Sequence, residues 1–120
     1  MMQLLWMHPP MILSFRVEKE VVKILRDIAS RFNISYSDLV RICISYYIGD
    51  NLSYSGGISL GYIVSSIRVR REFLDMIENT AKRAGLSRSE LVRAILHKCI
   101  ERGAMPDLQA EQPFPVSQPR

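Results

Sequence analysis

Residues 64–93 read VSSIRVRREFLDMIENTAKRAGLSRSELVR, and residues 12–41, lying 52 positions earlier, read ILSFRVEKEVVKILRDIASRFNISYSDLVR. Extended to residues 12–50 and 64–102, the ungapped match places identical residues at 12 of 39 positions. Ser14, Arg16 and Val17 fall on Ser66, Arg68 and Val69, and Ser35, Ser37, Leu39, Val40 and Arg41 on Ser87, Ser89, Leu91, Val92 and Arg93. A unit used twice points to a fold made by pairing two copies. One such unit is too short to bury a self-sufficient core.

Each copy opens on strict alternation. Leu13, Phe15 and Val17 alternate with Ile12, Ser14 and Arg16, as Ile67 and Val69 do with Ser66 and Arg68. Period two predicts a strand with one buried face. The period then changes: Val21, Val22, Leu25, Ile28 and Phe32 recur at helical spacing, as do Phe73, Leu74, Ile77, Ala81 and Ala84. Asn33 and Gly85 close these helices, being residue types that tolerate the left-handed conformation. Ser87-Arg88-Ser89-Glu90 then reads as a capping box opening a second helix, matched by Ser35-Tyr36-Ser37-Asp38. The expected class is α+β: two strand-helix-helix repeats joined through a two-stranded antiparallel ribbon, with four helices on its apolar face.

The predicted organisation is an apolar leader at 1–10, repeat 1 at 11–48, a Gly/Ser-rich linker at 49–63, repeat 2 at 64–103 and a flexible tail with four prolines at 104–120. The leader, MMQLLWMHPP, has no basic flank, and Pro9 and Pro10 break it short of a spanning length. It is expected to pack on the domain or fray. No membrane role is expected, and with no export signal an intracellular, cytoplasmic location is the default.

The second helix of repeat 1, after Asp38, carries Arg41 as its one charge and is expected to be buried on more than one side. The leader, the linker or another subunit are the possible covers, and self-association through repeat 1 is expected. In repeat 2, Arg93, His97, Lys98, Glu101 and Arg102 are expected to form an exposed face. Cys43 and Cys99 do not match between copies and lie in apolar runs, so buried free thiols are expected, with a disulfide as the alternative. His8 and His97 have no partner at metal-ligand or triad spacing. No paired carboxylates, nucleophile with base, phosphate loop or metal cluster occurs at workable spacing. The expectation is therefore a non-enzyme with no cofactor and no small-molecule substrate.

The net charge is +4, and residues 64–103 hold nine Lys/Arg against five Asp/Glu, a balance compatible with a nucleic-acid partner. An antiparallel ribbon fits the major groove of duplex DNA, where Arg can donate two hydrogen bonds to guanine and Ser suits several bases. Ser14, Arg16, Ser66 and Arg68 are the expected base readers. The helix starts, with free N–H groups, suit phosphate.

The run Ile67-Arg68-Val69, an amphipathic helix, and then Gly85-Leu86-Ser87-Arg88-Ser89-Glu90-Leu91 resembles the ribbon-helix-helix (MetJ/Arc/CopG-like) DNA-binding superfamily. Residues 12–50 resemble it more loosely, with Asn33 for the glycine and Tyr36 for the arginine. The tandem arrangement is similar to that of tandem ribbon-helix-helix regulators of archaeal viruses. The resemblance implies a transcription regulator, activator or repressor. It implies phosphate-binding helix starts at Ser35, Tyr36 and Ser37 and at Ser87, Arg88 and Ser89, with Tyr36 the weaker clamp. Arg41 and Arg93 are expected to pair with Asp38 and Glu90 one turn back. Strands exchanged between two chains are the structural alternative. An antitoxin whose tail binds a partner protein is the functional alternative.

Overall fold

Alternation decides how the sheet faces. The computed structural model describes residues 10–50 and 61–102. Strand β1 (Met11–Glu18) is followed by helices α1 (Lys19–Arg31) and α2 (Tyr36–Tyr47). Strand β2 (Tyr62–Val69) is followed by α3 (Arg71–Ala84) and α4 (Arg88–Glu101). The strands of this one chain pair antiparallel, with Met11 opposite Val69, Ser14 opposite Ser66 and Glu18 opposite Tyr62. Leu13, Phe15, Val17, Ile67 and Val69 are buried against the helices. Ile12, Arg16, Val64, Ser66 and Arg68 are exposed on the opposite face, and Ser14 is half-buried there. The result is a small α+β fold with a two-stranded sheet and four helices among the described residues.

Strand β2 starts at Tyr62, where the β-rich stretch of the sequence begins, and its first two residues, Tyr62 and Ile63, pair with Glu18 and Val17. The leader at residues 1–9, the central linker at 51–60 and the tail from residue 103 lie outside the described residues.

Both first helices end as their sequences predict. Asn33 and Gly85 have φ of 60° and 70°. In each case the next residue reaches back: the Ile34 N–H donates to Ala29 O at 3.0 Å and the Leu86 N–H to Ala81 O at 2.9 Å. A second bond from Asn33 to Ser30 and from Gly85 to Lys82 completes the Schellman pattern, satisfying carbonyls the helix leaves over. The turn aims each second helix back across the ribbon.

Three expectations are corrected by packing. Cys43 and Cys99 are not free thiols: they form a disulfide between α2 and α4, with Cα atoms 6.1 Å apart and both residues at 0% exposure. The helices cross where these two non-matching positions meet, which periodicity cannot show. The helix enclosed on more sides is α4, not α2. Leu91 through Leu96 are all buried, including Arg93 at 7% exposure, whereas Tyr46 on α2 is 42% exposed. His97 and Lys98 are half-buried rather than open, because Glu18 and Asp50 lie against them: His97 Nε2 is 3.0 Å from Glu18 and Lys98 Nζ 2.9 Å from Asp50. No described helix is long and apolar enough to cross a membrane.

Candidate nucleic-acid interface

The outer face of the ribbon carries the cross-strand pairs Ile12 with Arg68, Ser14 with Ser66, and Arg16 with Val64, and ends at Glu18 with Tyr62. The central pair is hydrogen-bonded, Ser14 Oγ lying 2.9 Å from Ser66 Oγ. One hydroxyl donates to the other, so the pair keeps one O–H and several lone pairs for a ligand. Arg16 and Arg68 stand diagonally on either side of it, both exposed. All four expected base readers therefore share one surface.

The strand segments bearing these arginines are held from behind by other arginines. Arg41 Nη1 donates to Arg68 O at 2.6 Å, and Arg93 Nη1 donates to Arg16 O at 2.9 Å. The Arg16 N–H donates to Ser89 Oγ at 3.0 Å. Arg41 also pairs with Asp38 at 2.5 Å, as expected. Its guanidinium, with the Ser35 hydroxyl, holds the Asp38 carboxyl below the usual carboxylate range. Arg93 departs from expectation: besides binding the Arg16 carbonyl it lies 4.3 Å from the centroid of the Tyr62 ring, while Glu90 serves the helix cap. The signal for this role was in the sequence, since Arg41 and Arg93 are identical at matching positions. Only the strand pairing shows what they hold.

The helix starts divide into capping and docking residues. Ser35 Oγ accepts the Asp38 N–H at 2.9 Å. Ser87 Oγ accepts the Glu90 N–H at 3.1 Å, and Glu90 Oε1 accepts the Ser87 N–H at 2.9 Å, a full capping box. Ser89 is committed to the strand. Ser37 is half-buried and lines a hollow of about 460 Å³ with Ile12, Arg41, Ser66, Ile67 and Arg68.

Tyr36 and Arg88, the matching residues at the two helix starts, are held differently. Tyr36 is turned against the ribbon, its hydroxyl 2.7 Å from Ser65 Oγ, with the Arg26 guanidinium 4.6 Å from its ring centroid. Arg88 pairs with Glu78 at 2.6 Å. Arg26 and Glu78 are also 52 positions apart. A guanidinium thus stands at each helix start, supplied by the first helix in one case and the second helix in the other. Arg26, missed in the sequence reading, lines a hollow of about 430 Å³ with Ser35, Tyr36, Ser37, Ser65 and Ser66.

Burial pushes the Tyr36 phenol above its ordinary value of 10.0, against the downward pull of Ser65 and Arg26. The fold favours the neutral phenol. Its contribution to stability is complete below pH 10.0 and is lost as pH rises past that value. Tyr36→Phe is expected to cost about 1 kcal/mol near neutrality through the lost Ser65 bond. It should also flatten the decline in stability that sets in as pH rises past 10.0. Urea unfolding of both proteins across pH checks this; parallel declines would refute it.

No protein family, curated protein or solved structure matches this chain.

Proposed function

We propose that this chain is a sequence-specific regulator of transcription that binds double-stranded DNA. In this reading it is a tandem ribbon-helix-helix protein whose two repeats supply the two strands of one ribbon. A single observation carries the reading: Arg16 and Arg68 are exposed on the same ribbon face, diagonally about the Ser14–Ser66 pair. A two-stranded ribbon enters the major groove, where each arginine can meet guanine O6 and N7 and apolar Ile12 and Val64 suit thymine methyl groups. Register supports it too, since residues 52 positions apart lie symmetrically about Ser14 and Ser66. The DNA site should then hold two similar half-sites in inverted order. In this reading Arg26, Arg88 and the capped helix starts are the groups that would meet phosphates, contacts that fix position without reading sequence.

The test is selection of bound duplexes from a random pool, followed by binding titrations on the enriched site. Arg68→Ala is expected to cost roughly 1–3 kcal/mol on the enriched site and to relax preference at one base position. Arg88→Ala is expected to weaken all sequences alike and to reduce the salt slope by roughly one. An unenriched pool, or identical losses by both variants on selected and random DNA, would defeat the proposal.

A further inference from the structure

The two flanks of the ribbon carry unequal charge. On one flank Tyr36 of α2 meets Ser65 of β2, and on the other Ser89 of α4 accepts the Arg16 N–H of β1. Lys19, Lys23 and Arg26 follow one another at helical spacing along α1, and all three are exposed. The residues 52 positions on, along α3, are Arg71, Asp75 and Glu78, also exposed. Three cations on the first flank thus correspond to one cation and two carboxylates on the second. Arg88, standing where the first flank has Tyr36, brings the second only to neutrality.

The side-chain partners sharpen this difference. Arg88 Nη1 donates to Glu78 Oε2 at 2.6 Å. Arg26 has no carboxylate partner among the described residues: its neighbour Asp27 is bonded to Arg31 at 2.9 Å, and its own guanidinium lies on the Tyr36 ring. A guanidinium stacked on a ring keeps its N–H edge for an acceptor. The matching serines divide in the same sense. Ser89 is bonded to the strand, whereas Ser37 lines both hollows of its flank, the one that holds Arg26 and the one that holds Arg41 and Arg68.

We infer that the repeat-1 flank is the one that grips the DNA backbone, and that Glu78 weakens the grip of the other flank, so that the protein sits on its site with one preferred orientation. The inference rests on the DNA-binding reading above and adds to it: the ribbon reads two similar half-sites, but the phosphates beside them are held unequally. A phosphate reaching Arg26 displaces only water. One reaching Arg88 must share it with Glu78. That pair is partly exposed, so parting it costs little, and the carboxylate left beside the phosphate is what opposes binding. Loss of Arg88 is still felt on every sequence, because it leaves Glu78 uncompensated.

The test uses a perfectly inverted version of the selected site, with neutral methylphosphonates in place of the flanking phosphates on one side, on the other, or on both. Neutralising either side alone is expected to weaken binding by about twofold, since the protein turns round and loses only one of two equal orientations. Neutralising both should cost several-fold more. Glu78→Gln, with unchanged circular dichroism, should bind the unmodified duplex several-fold more tightly and raise the salt slope by about one. It should also make one-sided neutralisation more costly than in the parent protein. Arg26→Gln should remove most of the cost of neutralising both sides. Equal losses on the two sides that multiply when combined overturn the inference and leave DNA binding standing. Unchanged affinity and salt slope in Glu78→Gln overturn it in the same way. A random pool from which no duplex is enriched overturns the DNA-binding reading, and this inference with it.

Discussion

Reduction of the Cys43–Cys99 bond is expected to lower the free energy of unfolding by roughly 4 kcal/mol, the chain-entropy value for a loop of this size. The bond ties residues separated by 56 positions, so the closed loop contains the end of α2, all of β2 and α3, and most of α4. An open chain loses far more freedom on folding than one already closed there. For a domain of this size the midpoint should fall on the order of 20 °C. The kinetics should be distinctive, because both cysteines are fully buried. Reductant reaches the sulfurs only when α2 and α4 separate, so the reduction rate should climb with urea long before bulk unfolding. Mass spectrometry and thiol titration, with urea melts of oxidised and reduced protein, provide the measurement. Coincident melts, or two free thiols in protein purified without reductant, would refute this.

Arg93→Ala is expected to destabilise the fold by about 3 kcal/mol, and Arg41→Ala by about 1 kcal/mol. The two residues lie 52 positions apart and make the same type of bond to the opposite strand, yet their surroundings differ. Arg93 is 7% exposed, so its bond to Arg16 O and its contact with the Tyr62 ring are shielded from water. Arg41 keeps its side chain 36% exposed and shares its charge with the exposed Asp38, an arrangement that water screens. Arg93→Lys should recover little, since one ammonium cannot both match the planar fork and stack flat on a ring. Urea unfolding of the three variants tests the ranking. Equal losses for Arg41→Ala and Arg93→Ala would refute the role given to burial. Should DNA binding hold, Arg93→Ala should also weaken it at temperatures where the variant remains folded, because Arg16 loses the anchor behind its backbone.

Some of this was legible in the residues because it depends on near neighbours. Alternation at 13–17 and 65–69 fixes which side chains share a strand face. Asn33 and Gly85 end helices because the left-handed turn is a local matter, and Ser87 with Glu90 forms its capping box within one turn. The four outward polar residues followed from these facts once the strands were taken to pair. Arg26, Arg93 and Ser89 could not be read this way. Each finds its partner in a different element, and solvated helix faces use the same residue types.

The sequence by itself determined the strand and helix segments, their capped ends and the two faces of the ribbon, since propensity and periodicity act over a few residues. Tertiary structure alone decided that Cys43 meets Cys99, that Arg93 is buried while Arg41 is not, and that Tyr36 leans on Ser65. Those outcomes depend on how two similar halves with different flanking chain pack together. The approach to β2, with Tyr62 on Arg93, closes over α4. Matching sequences therefore come to occupy unequal surroundings.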